Sequence, residues 1–317
     1  MATAYFSDSA FLRHDMGDDH PESPGRLRAI EARLKSCGLA GEVDWCQSPE
    51  ATREQLQRAH PGSYLDQLEL MAPRQGRIMA DPDTLMTPFT LQAARMAAGA
   101  GIEAVNQVLC NQATSAFCAV RPPGHHAEHN KTMGFCFYNN IAVAALHALT
   151  FHNLQRVAIV DFDVHQGNGT VDIFRNDPRV MICSSFQHPF YPHSPIHGLR
   201  EGIINTPLEA YSRGRDFRRQ VENAWLHRLQ DFKPQLILIS AGFDADKRDP
   251  MAQLELDARD FRWITEMITD VARMHCRGRV VSMLEGGYHL GALADGVEAH
   301  LGELVQISQP AARGFTF

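Results

Sequence analysis

Short apolar runs alternate with longer segments of helical period along most of the chain. Apolar runs bounded by Gly, Pro, Asn or charged residues predict buried strands, and they lie at residues 2–6, 43–46, 115–120, 156–162, 180–186, 235–241 and 280–284. Apolar positions three or four apart predict helices, at residues 89–110, 140–151, 209–231, 257–276 and 291–306. A further helix begins at the Ser23–Pro24 pair, as N-cap and N1, and ends near Gly38.

The alternation of strands and helices predicts an α/β fold with a mostly parallel sheet and helices on both faces. Residues 52–70 indicate helical pieces broken at 60–62, and the Pro-containing segment 73–88 indicates a loop. No repeat, low-complexity tract or linker is visible. We therefore expect one domain over residues 1–317, with 309–317 as a loose tail.

The stretch VAIVDFDVHQGNG at 157–169 joins an apolar run to a series of metal-competent groups. The apolar run is typical of a buried parallel strand, and ligands bind just beyond the carboxyl ends of such strands. Asp161, Asp163 and His165 are spaced two apart, so on extended backbone they point to one side. A solvated Asp-rich turn is the plainer alternative, but it requires no histidine and no second aspartate in phase.

Other polar clusters also follow predicted strands directly, so all of them should meet at one edge of the sheet. The best metal-binding set is Asp163, His165 and Asp244, three ligands that leave a fourth position open as in catalytic zinc sites. Two carboxylates and one imidazole also suit Fe(II), Mn(II) or Co(II).

The adjacent residues His125 and His126 are poorly placed to share a metal and suit acid–base chemistry better. Asp161 and Asn168 are natural orienting partners for these imidazoles. Tyr288 follows a Gly-Gly turn, where its hydroxyl could reach a carbonyl oxygen or serve only in packing.

Four aromatic residues lie in loops of the same edge, where they belong to the core or wall a narrow slot for an alkyl chain. They are Phe135, Phe137, Phe190 and Tyr191.

Composition narrows the classes of function. Acidic residues outnumber basic ones by 37 to 30, giving a net charge of −7, which argues against non-specific nucleic-acid binding. The seven cysteines show no CxxC spacing, which favours a reduced interior over disulfides and excludes a structural zinc knot. No signal peptide and no apolar run of about 18 residues is apparent. We expect a cytoplasmic protein with no nucleic-acid or membrane partner.

The motifs closely resemble those of the histone deacetylase superfamily, which includes acetoin-utilisation proteins and acetylpolyamine amidohydrolases. The resemblance runs from HPESPGRL at 20–27 to the last helix and is carried by RPPGHHA, GFCFYNN, DFDVHQGNG, AGFDADKRDP and LEGGYHLG. It implies an arginase–deacetylase fold with a central eight-stranded parallel sheet. It also implies a Zn²⁺-dependent amidohydrolase that removes acetyl groups from lysine side chains. The LEGGY form and Asn168 are similar to the class II branch and its bacterial relatives.

The resemblance also assigns roles to single positions. Asp163, His165 and Asp244 match the zinc ligands, and His126 matches the general base and acid. The remaining matches are His125 as electrostatic partner, Asp161 and Asn168 as orienting residues, Tyr288 as oxyanion donor, Gly134, Phe135 and Tyr191 in the acyl-lysine tunnel, Arg26 in an internal channel for acetate, and Asp161, Asp163, His165 and Ser184 around a structural K⁺.

The substrate is the part that the sequence decides least. Gln166 replaces a frequent second histidine, which should affect only outer structure, and Met251 stands where polyamine-selective members carry an acidic residue. We therefore expect an acetylated lysine peptide or protein, with Met251 at the rim and Asp81 or Asp83 accepting hydrogen bonds from its backbone. An acetylpolyamine or other small acylated amine, an inactive acyl-lysine binding module and a homo-oligomer stay open.

Overall fold

The computed structural model describes residues 1–307 and contains ten strands. Within the described residues they are β1 (Thr3–Phe6), β2 (Val43–Cys46), β3 (Ile78–Asp81), β4 (Thr84–Met86), β5 (Ser115–Cys118), β6 (Val157–Asp161), β7 (Val180–Gln187), β8 (Ile203–Leu208), β9 (Leu236–Ala241) and β10 (Val280–Leu284). Eight of these form one sheet in the order β2-β1-β5-β10-β9-β6-β7-β8. Every neighbouring pair in it is parallel, which confirms the predicted fold class.

Helices cover both faces of the sheet. They are α1 (Gly25–Cys37), α2 (Arg53–Leu56), α3 (Gly62–Met71), α4 (Thr90–Leu109), α5 (Asn140–Thr150), α6 (Asn168–Phe174), α7 (Gly214–Val221), α8 (His227–Phe232), α9 (Ala258–Cys276) and α10 (Leu290–Gln306). Ser282 Oγ of β10 lies 2.8 Å from His300 Nε2 of α10, whereas a Cβ on Gly101 of α4 would lie 2.8 Å from the end of Met283. Because successive strand residues point to opposite faces, α10 and α4 lie on opposite sides.

The central strands are buried along their whole length, which is why their sequences are apolar rather than alternating. Every residue of β6, β9 and β10 is buried. No helix of the described residues is long and apolar enough to cross a membrane.

One prediction of a loop was wrong. Residues 73–88 contain the antiparallel hairpin of β3 and β4. These strands are short, include Asp81 and pair with a register shift, so the sequence shows no regular apolar pattern. Helix α6, of 7 residues, was not predicted; it begins at Asn168.

Other element boundaries were missed at the edges. Strand β8 was not predicted, because it is the last strand of the sheet and Pro207 stands on its exposed side. The helix expected at 209–231 begins at Gly214 and contains a wider π turn at Glu222–Leu226. Helix α1 is preceded by Pro24 and has no side-chain cap, so Ser23 contributes only its carbonyl, which accepts from Arg26 N. The expected loose tail, 309–317, lies outside the described residues.

Candidate active site

Four neighbouring strands bring the polar clusters to one rim of the sheet. In sheet order these strands are β5, β10, β9 and β6, all parallel. The residues that end or follow them are His125 and His126 after β5, residues 285–288 after β10, Asp244 after β9, and Asp161, Asp163 and His165 at the end of β6. Side chains from distant parts of the sequence therefore share one site.

Asp163, His165 and Asp244 each direct one ligand-type atom into the same small space. These atoms lie within 4.8 Å of one another, and His165 Nδ1 is 3.0 Å from Asp163 Oδ1 and 3.3 Å from Asp244 Oδ2. All three side chains are buried, and Asp244 Oδ2, although close to His165, accepts no well-aligned hydrogen bond from residues 1–307. A buried carboxylate oxygen without a partner is costly unless a cation neutralises it, so this donor set fits a divalent metal ion.

The electrostatics of these three residues also favour a cation. Burial lowers the pKa of His165, but the facing carboxylates of Asp163 and Asp244 more than offset this and raise it to about 10. Burial raises the pKa of Asp244, and the neighbouring Asp163 carboxylate raises it further. The pocket therefore stabilises positive charge strongly, as the mixed oxygen and nitrogen donors of a Zn²⁺, Fe(II), Mn(II) or Co(II) site do.

Two glycines make room for the carboxylates. A Cβ on Gly286 would lie 2.0 Å from Asp244 Oδ2 and 2.6 Å from Asp163 Oδ2, and one on Gly242 would lie 2.1 Å from Asp163 Oδ2. Backbone amides then orient the same groups, because Gly286 N donates to Asp163 Oδ2 at 2.8 Å and Val164 N donates to Asp244 Oδ1 at 3.0 Å. Such outer contacts hold ligand groups in place.

Each of the two adjacent imidazoles has its own orienting partner. His125 Nδ1 lies 2.9 Å from Asp161 Oδ2, and His126 Nδ1 lies 2.7 Å from Asn168 Oδ1. Asn168 Nδ2 donates to Glu128 Oε1 at 2.8 Å, which orients the amide so that its oxygen faces His126. An amide oxygen can only accept, so Nδ1 of His126 carries the proton and Nε2 keeps its lone pair.

These partners give the two imidazoles different charges, although their ring centroids are only 4.1 Å apart. Burial lowers the pKa of His125, but the carboxylates of Asp161 and Asp163 reverse this and raise it well above its ordinary value. Burial and the charge of His125 together lower the pKa of His126 well below its ordinary value. The result is a neutral imidazole beside an imidazolium, the division that a general base and an electrostatic partner require.

Tyr288 follows the end of β10, and its ring stands over the buried side chain of Arg26. The guanidinium carbon of Arg26 is 5.0 Å from the centroid of the Tyr288 ring, and Arg26 Nε donates to Gly287 O at 2.7 Å while Nη2 donates to Glu285 O. Burial raises the pKa of Tyr288 well above its ordinary value, so the hydroxyl stays protonated and can donate. Arg26 therefore fixes the tyrosine loop, defined here as residues 285–289, and its channel role stays a prediction.

Phe135 and Tyr191 both contact residues of the site, and we call this pair the aromatic slot. The Phe135 ring is edge-on to Tyr288 at 5.9 Å between centroids, and Tyr191 is edge-on to His126 at 5.2 Å. A Cβ on Gly134, at φ +56°, would lie 2.3 Å from His126 Cδ2. The glycine therefore lets this loop run directly over the imidazole.

The other two aromatic candidates differ from each other. Phe190 stacks on His165, with centroids 5.5 Å apart and an interplanar angle of 20°, so it borders the site. Phe137 is completely buried and packs edge-on against His14. Of the two alternatives that the sequence left open, Phe137 therefore belongs to the core.

Asp83 is already bonded within the protein. Its Oδ1 accepts from Gly134 N at 3.0 Å, and its Oδ2 accepts from the Tyr191 hydroxyl at 3.0 Å. This carboxylate ties the Gly134 loop to Tyr191, and its expected contact with a substrate backbone stays a prediction. Asp81 is half-buried, and burial and Asp83 raise its pKa; Met251 is half-buried on the turn after residue 250.

Glu285 has a position that the sequence reasoning missed. It is fully buried; its Oε2 accepts from Gly124 N at 2.7 Å and His125 N at 3.1 Å, and its Oε1 accepts from Ser240 Oγ at 3.1 Å. Burial raises its pKa to about 7. A glutamate directly after the buried strand β10 was the available signal. Glu285 fixes the backbone that presents His125.

Ser184 lies beside Asp161 in the register of β6 and β7. Its hydroxyl is buried and has no hydrogen-bond partner within the described residues. An unpartnered buried hydroxyl fits an oxygen-lined cation site, so Ser184 stays a candidate contributor to the expected monovalent site with Asp161, Asp163 and His165.

Comparison with known proteins places these features in a family. A sequence model described as the histone deacetylase domain matches residues 20–304. The histone deacetylase-like amidohydrolase of Pseudomonas aeruginosa is 32% identical over 98% of this chain and 91% of its own length. The human protein named polyamine deacetylase HDAC10 is 34% identical over 87% of this chain and 43% of its own length.

A solved structure agrees in fold. The crystal structure of the HDA15 HD domain superposes with a TM-score of 0.90 at 32% sequence identity, covering 96% of this chain and 89% of the other.

Proposed function

The chain belongs to the histone deacetylase family, and on that premise we propose that it is a metal-dependent amidohydrolase that removes acetyl groups from lysine side chains. The observation that carries the proposal is the imidazole of His126, oriented by Asn168 at its Nδ1, beside the cluster of Asp163, His165 and Asp244. A base next to a cation site serves hydrolysis, whereas a module that only binds acyl-lysine requires neither.

Asp163, His165 and Asp244 would hold the metal ion, with Zn²⁺ as the first candidate and Fe(II), Mn(II) or Co(II) as alternatives. When bound, such an ion supplies a Lewis acid for the amide carbonyl and for the attacking water. We also assign a structural K⁺ to the oxygen atoms around Ser184 and Asp161.

His126 Nε2 accepts a proton from the attacking water, while Asn168 holds the proton on Nδ1. The charge of His125, fixed by Asp161, stabilises the negative charge that develops. The Tyr288 hydroxyl donates a hydrogen bond to the carbonyl oxygen as it becomes an oxyanion. His126 then returns its proton to the leaving amine.

The aromatic slot would recognise the alkyl part of the substrate. Phe135 and Tyr191 can pack along the methylenes of a lysine side chain without selecting its neighbours in sequence. The acetamide is neutral, so it enters this apolar passage without the cost of burying a charge.

An acetylated polyamine is the second candidate, and one feature of the rim favours it. Asp18 and Asp19 are exposed and have no ion-pair partner among the described residues. They adjoin His20, whose ring packs edge-on against Phe135 at 4.7 Å. These carboxylates could attract the second ammonium group of a polyamine, and they could equally attract a basic residue of a peptide. Met251 adds no charge to this rim.

Substrate profiling on purified protein with a defined metal content separates the two candidates. We expect a higher kcat/KM for acetyl-lysine peptides than for acetylputrescine or acetylspermidine, with little dependence on flanking residues. A preference for acetylspermidine over every peptide would transfer the proposal to polyamines. Failure of the metal-loaded protein to hydrolyse any acetylated amine would refute both.

A further inference from the structure

Asp249 stands between the tyrosine loop and the turn that carries Met251. It follows residues 246–248 in the loop after β9, and it is 5% exposed. Its Oδ2 accepts from Tyr288 N at 2.6 Å and from His289 N at 2.9 Å. Its Oδ1 accepts from Met251 N at 3.0 Å. One carboxylate therefore holds three backbone amides, two in the tyrosine loop and one on the Met251 turn.

The tyrosine loop requires such an anchor because of its glycines. Gly286 and Gly287 precede Tyr288, and Gly287 adopts φ +119°, a conformation that side-chain-bearing residues rarely adopt. Without hydrogen bonds to the rest of the protein, a loop with two glycines has more backbone conformations than other loops. The position of Tyr288 therefore depends on the contacts that the backbone of this loop makes.

The loop is fastened from two sides. Arg26 donates to its carbonyl oxygens, at Gly287 and Glu285. Asp249 accepts from its amides, at Tyr288 and His289. The two groups cannot replace each other, because a guanidinium only donates and a carboxylate only accepts.

We propose that Asp249 is a positioning residue for the hydrolysis, which acts by holding the Tyr288 hydroxyl where the oxyanion develops and by joining that loop to the Met251 turn. The inference rests on the proposed deacetylase function. Positioning of this kind affects the rate strongly, since a displacement of about 1 Å at a reacting group can cost about 100-fold.

A purely structural role is the competing explanation. Asp249 also lies at the start of α10, where a carboxylate stabilises the helix through its free amides. Asp257 offers a matched control, because its carboxylate caps α9 by accepting from Arg259 N at 3.0 Å. Within residues 1–307 the Asp257 carboxylate makes no hydrogen bond to the tyrosine loop, so Asp257→Asn removes a helix-terminal carboxylate without touching that loop.

Asp249→Asn is the test variant. An asparagine of the same shape must place its NH₂ group against either Met251 N or the pair of amides at Tyr288 and His289, where two donors face each other. We expect kcat to fall about 10–100-fold with KM changed by less than about threefold and metal content unchanged. Asp257→Asn should leave kcat unchanged at a similar loss of thermal stability.

The double variant separates positioning from general damage. In a Tyr288→Phe background the donor is already gone, so adding Asp249→Asn should lower kcat by less than about twofold. An equal loss in both backgrounds, or no loss in the wild-type background, would overturn the proposal. If Asp249→Asn does not fold, Asp249→Ser, which keeps one acceptor, replaces it in the same cycle.

Hydrogen exchange gives a readout that does not depend on turnover. The amides of Tyr288 and His289 should exchange at least about tenfold faster in Asp249→Asn than in the wild type or in Asp257→Asn. Unchanged exchange would overturn the positioning role even if the enzyme proved inactive on every acetylated amine. Faster exchange in a protein without deacetylase activity would refute the proposed function and leave the anchor in place.

Discussion

Replacing Asn168 with aspartate should move the acid limb of the pH–rate profile upward. His126 Nδ1 lies 2.7 Å from the Asn168 oxygen, whereas His125 has a carboxylate at 2.9 Å. The neutral partner leaves the pKa of His126 lowered by burial and by His125. A carboxylate in the same place would stabilise the imidazolium, which raises the pKa by about 1–3 units.

The sign of the effect follows from the role of His126. The base acts in its neutral form, and the acid limb of kcat/KM reports the pKa of the free enzyme's base. Below the new pKa, each unit of upward shift should lower kcat/KM about tenfold at a fixed pH. A cation bound nearby acts on both proteins in the same direction, so the difference between them is retained.

Glu128 requires a matched variant. Asn168 Nδ2 donates to Glu128 Oε1 at 2.8 Å, so Asn168→Asp alone sets two carboxylates against each other. Asn168→Asp with Glu128→Gln restores a donor to the new carboxylate, and Glu128→Gln alone should leave the limb in place. The assay is kcat/KM from about pH 5 to 9 on metal-loaded protein. An unshifted limb in both Asn168→Asp proteins would show that His126 is not the titrating base.

Three further changes test separate parts of the site. His126→Ala should lower kcat about 10²–10⁴-fold while elemental analysis shows an unchanged metal content, and loss of the metal would instead make His126 a ligand. Gly286→Ala places a Cβ 2.0 Å from Asp244 Oδ2 and should weaken metal affinity about 10–100-fold; Gly302→Ala, with nothing within 4 Å, should match the wild type in the same titration. Met251→Glu should raise the ratio of kcat/KM for acetylspermidine over acetyl-lysine peptide, and an unchanged ratio would remove Met251 from the rim.

The fold was predictable where burial determines the sequence. Strands β6 and β10 are buried on both faces, so apolar residues fill four of the five positions in each and the runs are easily seen. The hairpin of β3 and β4 and the edge strand β8 are partly exposed. Their residues alternate weakly or include proline, and the chain pattern does not separate them from loops.

The residues of the candidate site also differ in how well the sequence predicts them. Asp163, His165 and Asp244 were identifiable because each follows a strand of a parallel sheet, where the topology alone brings them to one rim. Asp83 and Asp249 act on backbone amides of loops distant in sequence. No spacing along the chain encodes such contacts, because they depend on the path that each loop takes over the rim.

A metal titration of the depleted protein tests the central claim most directly. The chain is stripped with a chelator, divalent metal is returned in measured equivalents, and acetate release from an acetyl-lysine peptide is followed at each step. We predict negligible turnover without metal and a linear rise that ends at about one equivalent per chain, with Asp244→Ala inactive throughout. Full turnover by the stripped protein, or by Asp244→Ala, would contradict the account.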